Sequence, residues 1–178
     1  MLVLASASAA RRALLRRAGV RFVVRPSDVR ETKGRGRTLR ATVLENARRK
    51  AAAVDGDRVL AADTMVAFAG RLYGKPPSRA AAVRWLARMA GRTHVIATGV
   101  VFRDNGRTVE RFVATKVTLR ALDRSAIARL LATYDPTRFA GGYVMRRHDP
   151  LIERIDGSFT NVMGLPMEVV LPLLRRGR

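Results

Sequence analysis

Residues 58 to 73 read RVLAADTMVAFAGRLY, and this stretch decides the fold class. Arg58 to Asp63 is an apolar run of strand length that ends in a carboxylate, which predicts a buried strand. Ala69-Gly70 is typical of a tight turn between two further strands, Thr64 to Phe68 and Arg71 to Tyr73. We therefore expect strands at the centre of the fold, with Asp63 at the carboxyl end of one of them, where open α/β sheets commonly place ligand sites.

Strands and helices alternate on both sides of this stretch. The other predicted strands are Leu2 to Ala5, Val20 to Val24, Thr93 to Arg103, Thr108 to Leu119 and Leu151 to Asp156. The predicted helices are Ala9 to Ala18, Thr38 to Val54, Ser78 to Gly91, Asp123 to Thr133 and one beginning at Pro166. Asp104-Asn105-Gly106 predicts a hairpin turn. The pattern favours an α/β fold with a mixed, partly antiparallel sheet and flanking helices, formed by residues 1–178 as a single domain.

The composition excludes several classes of function. The chain has 178 residues, 48% of them apolar, which is enough for a sizeable core. It contains no cysteine, which excludes disulfides, zinc–thiolate sites and cysteine nucleophiles, so any metal would bind through oxygen. No apolar run approaches the roughly 20 residues that span a bilayer, and Arg11 and Arg12 come too early for a secretory signal. We expect a cytoplasmic protein that does not bind membranes.

The net charge of +21 is the feature that most suggests nucleic acid. The basic residues are scattered along every segment, however, rather than gathered in one tail or stripe. Of the 35 basic residues only four are lysines, and a lysine kept in such a chain indicates a position that needs a compact ammonium. We therefore treat nucleic-acid binding as a secondary prediction.

A turn of small residues, Ser6-Ala7-Ser8, joins the first strand to the first helix. Small residues let a ligand approach the backbone, and free N–H groups at a helix start favour an anion. Arg11 and Arg12 in the first turn oppose the helix dipole unless a phosphate lies nearby. The alternative is that Ser8 only caps the helix and the arginines lie on a solvated face.

Two acids are candidate metal ligands in this acid-poor chain. Asp63 ends its predicted strand and Glu31 lies in a loop after the second strand. Together they could hold one hard divalent cation, which prefers oxygen ligands and bridging phosphates. The alternative for each is a helix cap or a surface ion pair.

Lys50 and Lys75 are candidate phosphate ligands. Lys75 lies between glycine and proline in a rigid turn, and a point charge of this kind suits phosphate oxygens. Lys50 ends a helix, where a cation also stabilises the helix dipole.

The polar segment from Ile155 to Pro166 leads into a helix start, which predicts either a further binding loop or only a turn. His94 and His148 are single, and we expect neither to be catalytic.

The order and spacing of these motifs resemble the Maf family of nucleotide pyrophosphatases. The match runs nearly end to end, through Leu4-Ala5-Ser6-Ala7-Ser8, Arg11-Arg12-Ala13-Leu14-Leu15, Glu31, Lys50-Ala51, Ala62-Asp63-Thr64, Gly74-Lys75-Pro76, Gly91-Arg92-Thr93-His94-Val95, Thr98-Gly99-Val100, Ala140-Gly141-Gly142-Tyr143 and Val162-Met163-Gly164-Leu165-Pro166. The resemblance implies an inosine-triphosphatase-like, two-lobed fold with a central cleft, usually a homodimer, that releases a nucleoside monophosphate and pyrophosphate. It also implies a house-cleaning role and a role in cell-division arrest.

The resemblance also implies roles for individual residues. Asp63 would accept the proton of the attacking water, and Glu31 with Asp63 would hold Mg²⁺ or Mn²⁺. The residues expected to contact the nucleotide are Ser8, Arg11, Arg12, Thr64, Lys50 and Lys75, and the catalytic set is Asp63, Glu31, Lys50 and Lys75. Such chemistry needs positioning and charge neutralisation more than a covalent nucleophile.

Three positions bear on the choice of nucleotide. Ala10 stands where the family has arginine in the branch for thymidine and uridine triphosphates and tryptophan in the branch for methylated guanosine triphosphate. Arg146 replaces a glutamine linked to specificity, whereas Thr64 resembles the thymidine and uridine branch. We expect dTTP, UTP or a modified nucleotide as substrate. The alternatives are a basic nucleic-acid-binding regulator on the same fold and a nucleotide sensor without catalysis.

Overall fold

The computed structural model describes residues 1–32, 34, 36–145 and 150–175. In this part of the chain seven strands form one sheet: β1 (Leu2–Leu4), β2 (Phe22–Val24), β3 (Arg58–Phe68), β4 (Arg71–Tyr73), β5 (Thr93–Asp104), β6 (Arg107–Leu119) and β7 (Ile152–Asp156). The helices are α1 (Ala9–Arg17), α2 (Leu39–Ala52), α3 (Arg79–Met89), α4 (Arg124–Ala132), α5 (Phe159–Val162) and α6 (Met167–Arg175). Among these described helices, none combines the length and the apolar character needed to cross a bilayer.

The sheet is mixed, as the sequence predicts. Its strand order is β2-β1-β3-β5-β6-β7, and β4 pairs with β3. Strand β1 is parallel to both β2 and β3, whereas the pairings of β3 with β4, β3 with β5, β5 with β6 and β6 with β7 are antiparallel. The predicted α/β class with a partly antiparallel sheet and flanking helices is therefore confirmed.

Both predicted hairpin turns form. Ala69 and Gly70 join β3 to β4 with φ angles of 47° and 72°, and Asn105 and Gly106 join β5 to β6 with 45° and 81°. Two consecutive positive φ angles match the twist of the flanking strands, which is why glycine and asparagine are favoured there. The long β5–β6 hairpin is the prominent one that the sequence predicts.

The predicted position of Asp63 at the end of a strand is wrong. β3 is one strand of 11 residues, and β5 pairs with it from Arg58 to Ala67, so Asp63 lies within the strand and not at its end. On the other edge of β3, the pairing with β1 ends at Leu60 and the pairing with β4 begins at Val66. In the described part of the chain, the edge of β3 between these two neighbours has no strand beside it, and a cleft opens there.

Helices cover both faces of the sheet. Helices α1 and α6 pack on one face against Leu4, Leu60 and Val100, and α2 packs on the other against Val3 and Val59. A third apolar cluster lies between α3, α4 and the far halves of β5 and β6. Four of these helices are capped at their starts: the side chains of Ser8, Thr38, Ser78 and Asp123 accept backbone N–H bonds in the first turns of α1, α2, α3 and α4. The short helix α5 and the 3₁₀ turns at Pro136–Arg138 and Ala140–Gly142 were not predicted.

Gly99 allows α2 to lie directly on the sheet. Gly99 pairs with Asp63 across β5 and β3, and a Cβ atom at this position would lie 2.6 Å from the Val43 carbonyl. The close approach brings the buried side of α2 over Asp63. The residue at position 99 therefore controls the height of the helix above the site.

Replacing this glycine is expected to push the helix away from the strand. We predict that Gly99→Ala lowers the free energy of unfolding by about 3 kcal/mol, the upper part of the range for overpacking, because the contact is with backbone. Gly70→Ala is the control, since its added methyl meets nothing within 4 Å and only the φ of +72° opposes it, at about 1 kcal/mol. Urea unfolding of both variants measures the difference, and equal losses would contradict the close packing.

Candidate active site

The cleft at the open edge of β3 has a volume of about 570 Å³. Its floor is the turn between β1 and α1, residues 5–11, and its opposite wall is formed by residues 137–140, 143–145 and 162–164. The predicted site residues that line it are Ser8, Ala10, Arg11, Glu31, Lys50, Asp63, Thr64 and Lys75. The structure thus brings together side chains that lie up to 67 positions apart in the chain.

A buried lysine joins the two predicted acids. Lys50 Nζ lies 2.6 Å from Glu31 Oε1 and 2.5 Å from Asp63 Oδ1. Lys50 and Asp63 are 7% and 3% exposed, so these charges interact with little solvent screening. Lys50 lies in the last turn of α2, as the alternative of a helix C-terminal cation requires, and its ammonium also points inward to the two carboxylates.

Asn46 contacts Asp63 although none of the sequence motifs predicts it. Its Nδ2 donates to Asp63 Oδ2 at 2.9 Å and to the Thr32 carbonyl at 3.2 Å, and its Oδ1 accepts from the Thr32 N–H at 2.8 Å. Asn46 lies four positions before Lys50 on the buried side of α2. The signal that could have found it is a polar residue one helical turn before Lys50, on a side of α2 that also carries Val43 and Ala47.

The lysines also determine the charge of Glu31. Burial alone would raise the pKa of the Glu31 carboxyl, but Lys50, Lys75 and Arg11 together lower it below its usual value. Lys75 Nζ lies 4.0 Å from Glu31 Oε1, and its side chain is 57% exposed. Glu31 is thus held ionised beside one buried and one accessible ammonium group.

Arg11, a predicted phosphate ligand, lines the cleft and makes most of its bonds within the protein. It is buried, and it donates to Gly164 O at 2.8 Å, Ser6 Oγ at 3.0 Å, Ala62 O at 2.8 Å and Thr64 Oγ1 at 3.0 Å. Burial lowers the pKa of its guanidinium, and Asp63 and Glu31 oppose that shift. Because four of its five N–H groups are used within the protein, Arg11 mainly fastens the walls of the cleft together.

Other predicted contacts are more limited than expected. The Ser8 side chain caps α1 by accepting the Arg11 N–H at 3.4 Å, as the simpler alternative for Ser8 proposed, although Ser8 also lines the cleft. Arg12 is half-buried and is not among the lining residues. In the closing segment the N–H groups of Leu165 and Met167 are bonded to Thr160, so this helix start does not offer them to a ligand.

The specificity positions lie at different places. Ala10 lines the cleft beside the small-residue turn. Thr64 Oγ1 lies 3.0 Å from Thr98 Oγ1 and also accepts the Arg11 bond, so its hydroxyl is engaged inside the protein. Arg146, together with His148, lies outside the described residues.

His94 supports the wall of the cleft from behind. It is 2% exposed, and its Nε2 lies 2.5 Å from the hydroxyl of Tyr143, which lines the cleft. Burial lowers the pKa of His94 to about 4. His94 is therefore neutral at physiological pH, and its contact with Tyr143 is structural.

Two acids, two lysines and a turn of small residues around one cleft are typical of α/β proteins that act on phosphorylated ligands. The family described as "Maf-like protein" matches residues 1–177. The chain therefore belongs to the Maf family, and the resemblance predicted from its motifs is confirmed.

Curated relatives are similar over nearly their whole length. A dTTP/UTP pyrophosphatase of Moorella thermoacetica is 42% identical, over 97% of this chain and 93% of its own. The dTTP/UTP pyrophosphatases of Anaeromyxobacter sp. and Myxococcus xanthus are 41% and 40% identical, over 98% and 99% of this chain and 88% and 92% of theirs.

The buried His94 predicts a loss of stability in acid. Its pKa is about 4 in the folded protein and about 6.5 when exposed, so the unfolded chain binds more protons between these values. Stability should therefore fall as the pH drops from about 6.5 to 4, by about 3 kcal/mol. We expect His94→Gln to lack this part of the pH dependence when urea unfolding is compared at pH 7 and pH 4. An identical pH dependence in both proteins would contradict it.

Proposed function

We propose that the protein is a nucleoside triphosphate pyrophosphatase, which hydrolyses a nucleotide between its α- and β-phosphates to a monophosphate and pyrophosphate. The observation that carries the proposal is the arrangement of Glu31, Lys50, Asp63 and Lys75 around one cleft beside the Ser6–Ser8 turn. The names of the relatives, each a dTTP/UTP pyrophosphatase, support it.

Asp63 is the proposed proton acceptor for the attacking water. Its Oδ1 is bonded to Lys50 and its Oδ2 to Asn46, which leaves each oxygen a further lone pair for a water proton. The two donors hold the carboxylate in one orientation, which proton transfer in a defined geometry requires. The water adds to phosphorus, its proton passes to Asp63, and the bond to the pyrophosphate leaving group breaks.

The triphosphate would lie between the lysines and the small-residue turn. Lys75 offers an exposed ammonium at the mouth of the cleft. Ala7, Ala9 and Ala10 present little side-chain bulk beside it, so phosphate oxygens can come close to the backbone. Lys50 neutralises charge at the buried end, where an interaction with phosphate is least screened.

The acids fit a divalent metal that arrives with the nucleotide. The described residues contain no group of three or more His, Cys, Asp or Glu side chains that could hold a metal by themselves. Magnesium typically uses one or two carboxylates together with substrate phosphates, and Glu31 with Asp63 match that donor set. We propose that these two residues hold Mg²⁺ or Mn²⁺, which would neutralise phosphate charge.

We further propose dTTP, UTP or a modified pyrimidine nucleotide as the substrate. The relatives' names and Thr64 support the pyrimidine class, while Ala10 leaves more room than a larger side chain would at the same place.

Residues 1–178 would act as one domain around the cleft. We also propose that the protein is a homodimer, which light scattering can test. A house-cleaning role follows from this chemistry, with cell-division arrest as a further proposal.

The decisive experiment is a panel of nucleoside triphosphates assayed for pyrophosphate release with Mg²⁺ or Mn²⁺. We expect pyrimidine triphosphates to be cleaved, EDTA to abolish turnover, and Asp63→Asn to lower kcat by at least about 10²-fold through loss of the general base. Glu110→Gln is the matched control, because Glu110 pairs with Arg48 at the surface and does not line the cleft. Full turnover by Asp63→Asn would refute its role.

A second candidate function, nucleic-acid binding, has one structural observation in its favour. Arg71, Arg88 and Arg92 line an exposed groove of about 530 Å³ that is separate from the cleft. Guanidinium groups of this kind favour phosphate backbones.

Neutralising this groove distinguishes the two functions. We expect the triple variant Arg71→Gln, Arg88→Gln, Arg92→Gln to retain turnover within about twofold, because the groove takes no part in the proposed hydrolysis. A protein that works mainly on nucleic acid would instead lose tight, salt-dependent binding, with a log–log salt slope smaller by about 0.9 per lost phosphate contact. Fluorescence anisotropy with short DNA and RNA duplexes measures this slope.

A further inference from the structure

We propose that Asn46 is a positioning residue. It holds the proton acceptor, Asp63, in a fixed position relative to Glu31 and Thr32, which we call the acidic loop. Its catalytic consequence depends on the proposed pyrophosphatase function. The proposal is based on one side-chain amide, which binds Asp63 and the residue next to Glu31 at the same time.

The side-chain amide of Asn46 is fully committed to these two partners. Both Nδ2 hydrogens have acceptors, Asp63 Oδ2 and the Thr32 carbonyl, and Oδ1 accepts the Thr32 N–H. Asn46 is 1% exposed, so water does not compete for these bonds. A buried amide with every donor used specifies a single arrangement of its partners.

Two bonds from Asn46 fix the backbone of the acidic loop. Thr32 both donates to and accepts from the amide, which determines the position and the direction of its backbone. Glu31 is the preceding residue, and its carboxylate meets Lys50. The loop is therefore attached to α2 twice, once through its backbone at Thr32 and once through the Glu31 side chain.

The third bond fixes the rotation of the Asp63 carboxylate. Lys50 holds Oδ1 at 2.5 Å and Asn46 holds Oδ2 at 2.9 Å. A carboxylate held through only one oxygen can turn about its own axis, whereas one held through both cannot. Since Asn46 and Lys50 are one helical turn apart on the same side of α2, the rigid helix determines the geometry of both acids.

Loss of the amide should therefore affect catalysis more than substrate binding. In Asn46→Ala the Thr32 N–H loses its acceptor and Asp63 keeps only the Lys50 bond. Lys75 and the Ser6–Ser8 turn are unchanged, so the nucleotide still binds. Loss of a group that orients a reacting residue typically costs about 10- to 100-fold in activity.

The experiment compares Asn46→Ala with Asn161→Ala in the full chain. Asn161 is a matched control, because it is 0% exposed and its Nδ2, like that of Asn46, donates two bonds, here to Ile96 O and Thr115 Oγ1, without touching the acids. Steady-state kinetics with the cleaved nucleotide gives kcat and KM separately. Hydrogen exchange, read by mass spectrometry on ligand-free protein, reports the Thr32 amide in a peptide covering residues 25–32.

We expect Asn46→Ala to lower kcat by about 10- to 100-fold with KM changed less than about threefold. The Thr32 amide should exchange at least about tenfold faster, which corresponds to a free-energy change of about 1.4 kcal/mol. Asn161→Ala should lower the melting temperature without either effect. If the two variants behave alike in both measurements, Asn46 is only structural and the proposal fails. If the wild-type protein cleaves no nucleotide, the proposed function is wrong, and the exchange rate alone decides whether Asn46 anchors the loop.

Discussion

The ammonium of Lys50 between Glu31 and Asp63 is the interaction on which the site depends. A charge removed from water is stable only if it is paired and hydrogen-bonded, and among the residues that the structure describes none of these three groups has another ionic partner as close. The pairing requires α2 to lie close to β3 and the acidic loop to fold over both. The two ion pairs therefore join α2, β3 and the segment that carries Glu31. The contacts of Lys50 with Glu31 and Asp63 therefore determine both the charges in the cleft and the positions of the segments around it.

The interrupted edge of β3 explains why a cleft forms at this place. Between the end of β1 and the start of β4, backbone groups that would pair with a strand need other partners. Arg11 supplies one by donating to the Ala62 carbonyl, and it reaches the closing segment with the same guanidinium. A strand at this position would fill the cleft. The sheet is thus complete enough to be rigid and open enough to admit a ligand, with Asp63 and Thr64 on opposite faces of one strand beside the gap.

Local features of the fold could be predicted from the sequence, and long-range ones could not. The turns at Ala69-Gly70 and Asn105-Gly106 and the helix caps depend on a few neighbouring residues, so their chemistry is visible in the chain. The sequence predicts Asp63 at a strand end because a carboxylate after an apolar run usually ends a strand. The pairing with β5, which extends β3 beyond Asp63, is a long-range contact that this local pattern does not show. The motifs predict most of the residues that line the cleft, whereas the bonds of Arg11 and Asn46 to distant segments have no local pattern in the sequence. Arg146 is a specificity prediction that lies outside the described residues.

The bond between Arg11 and Gly164 joins positions 153 apart in the chain. During synthesis on the ribosome the first helix is made before the carbonyl to which Arg11 is bonded, because Gly164 follows it by 153 positions. A nascent chain can already contain Glu31, Lys50 and Asp63 without an enclosed cleft. The enclosed cleft should consequently form only after residue 164 has been made, and fragments that end before this residue would carry the acidic residues without the bond that closes the cleft.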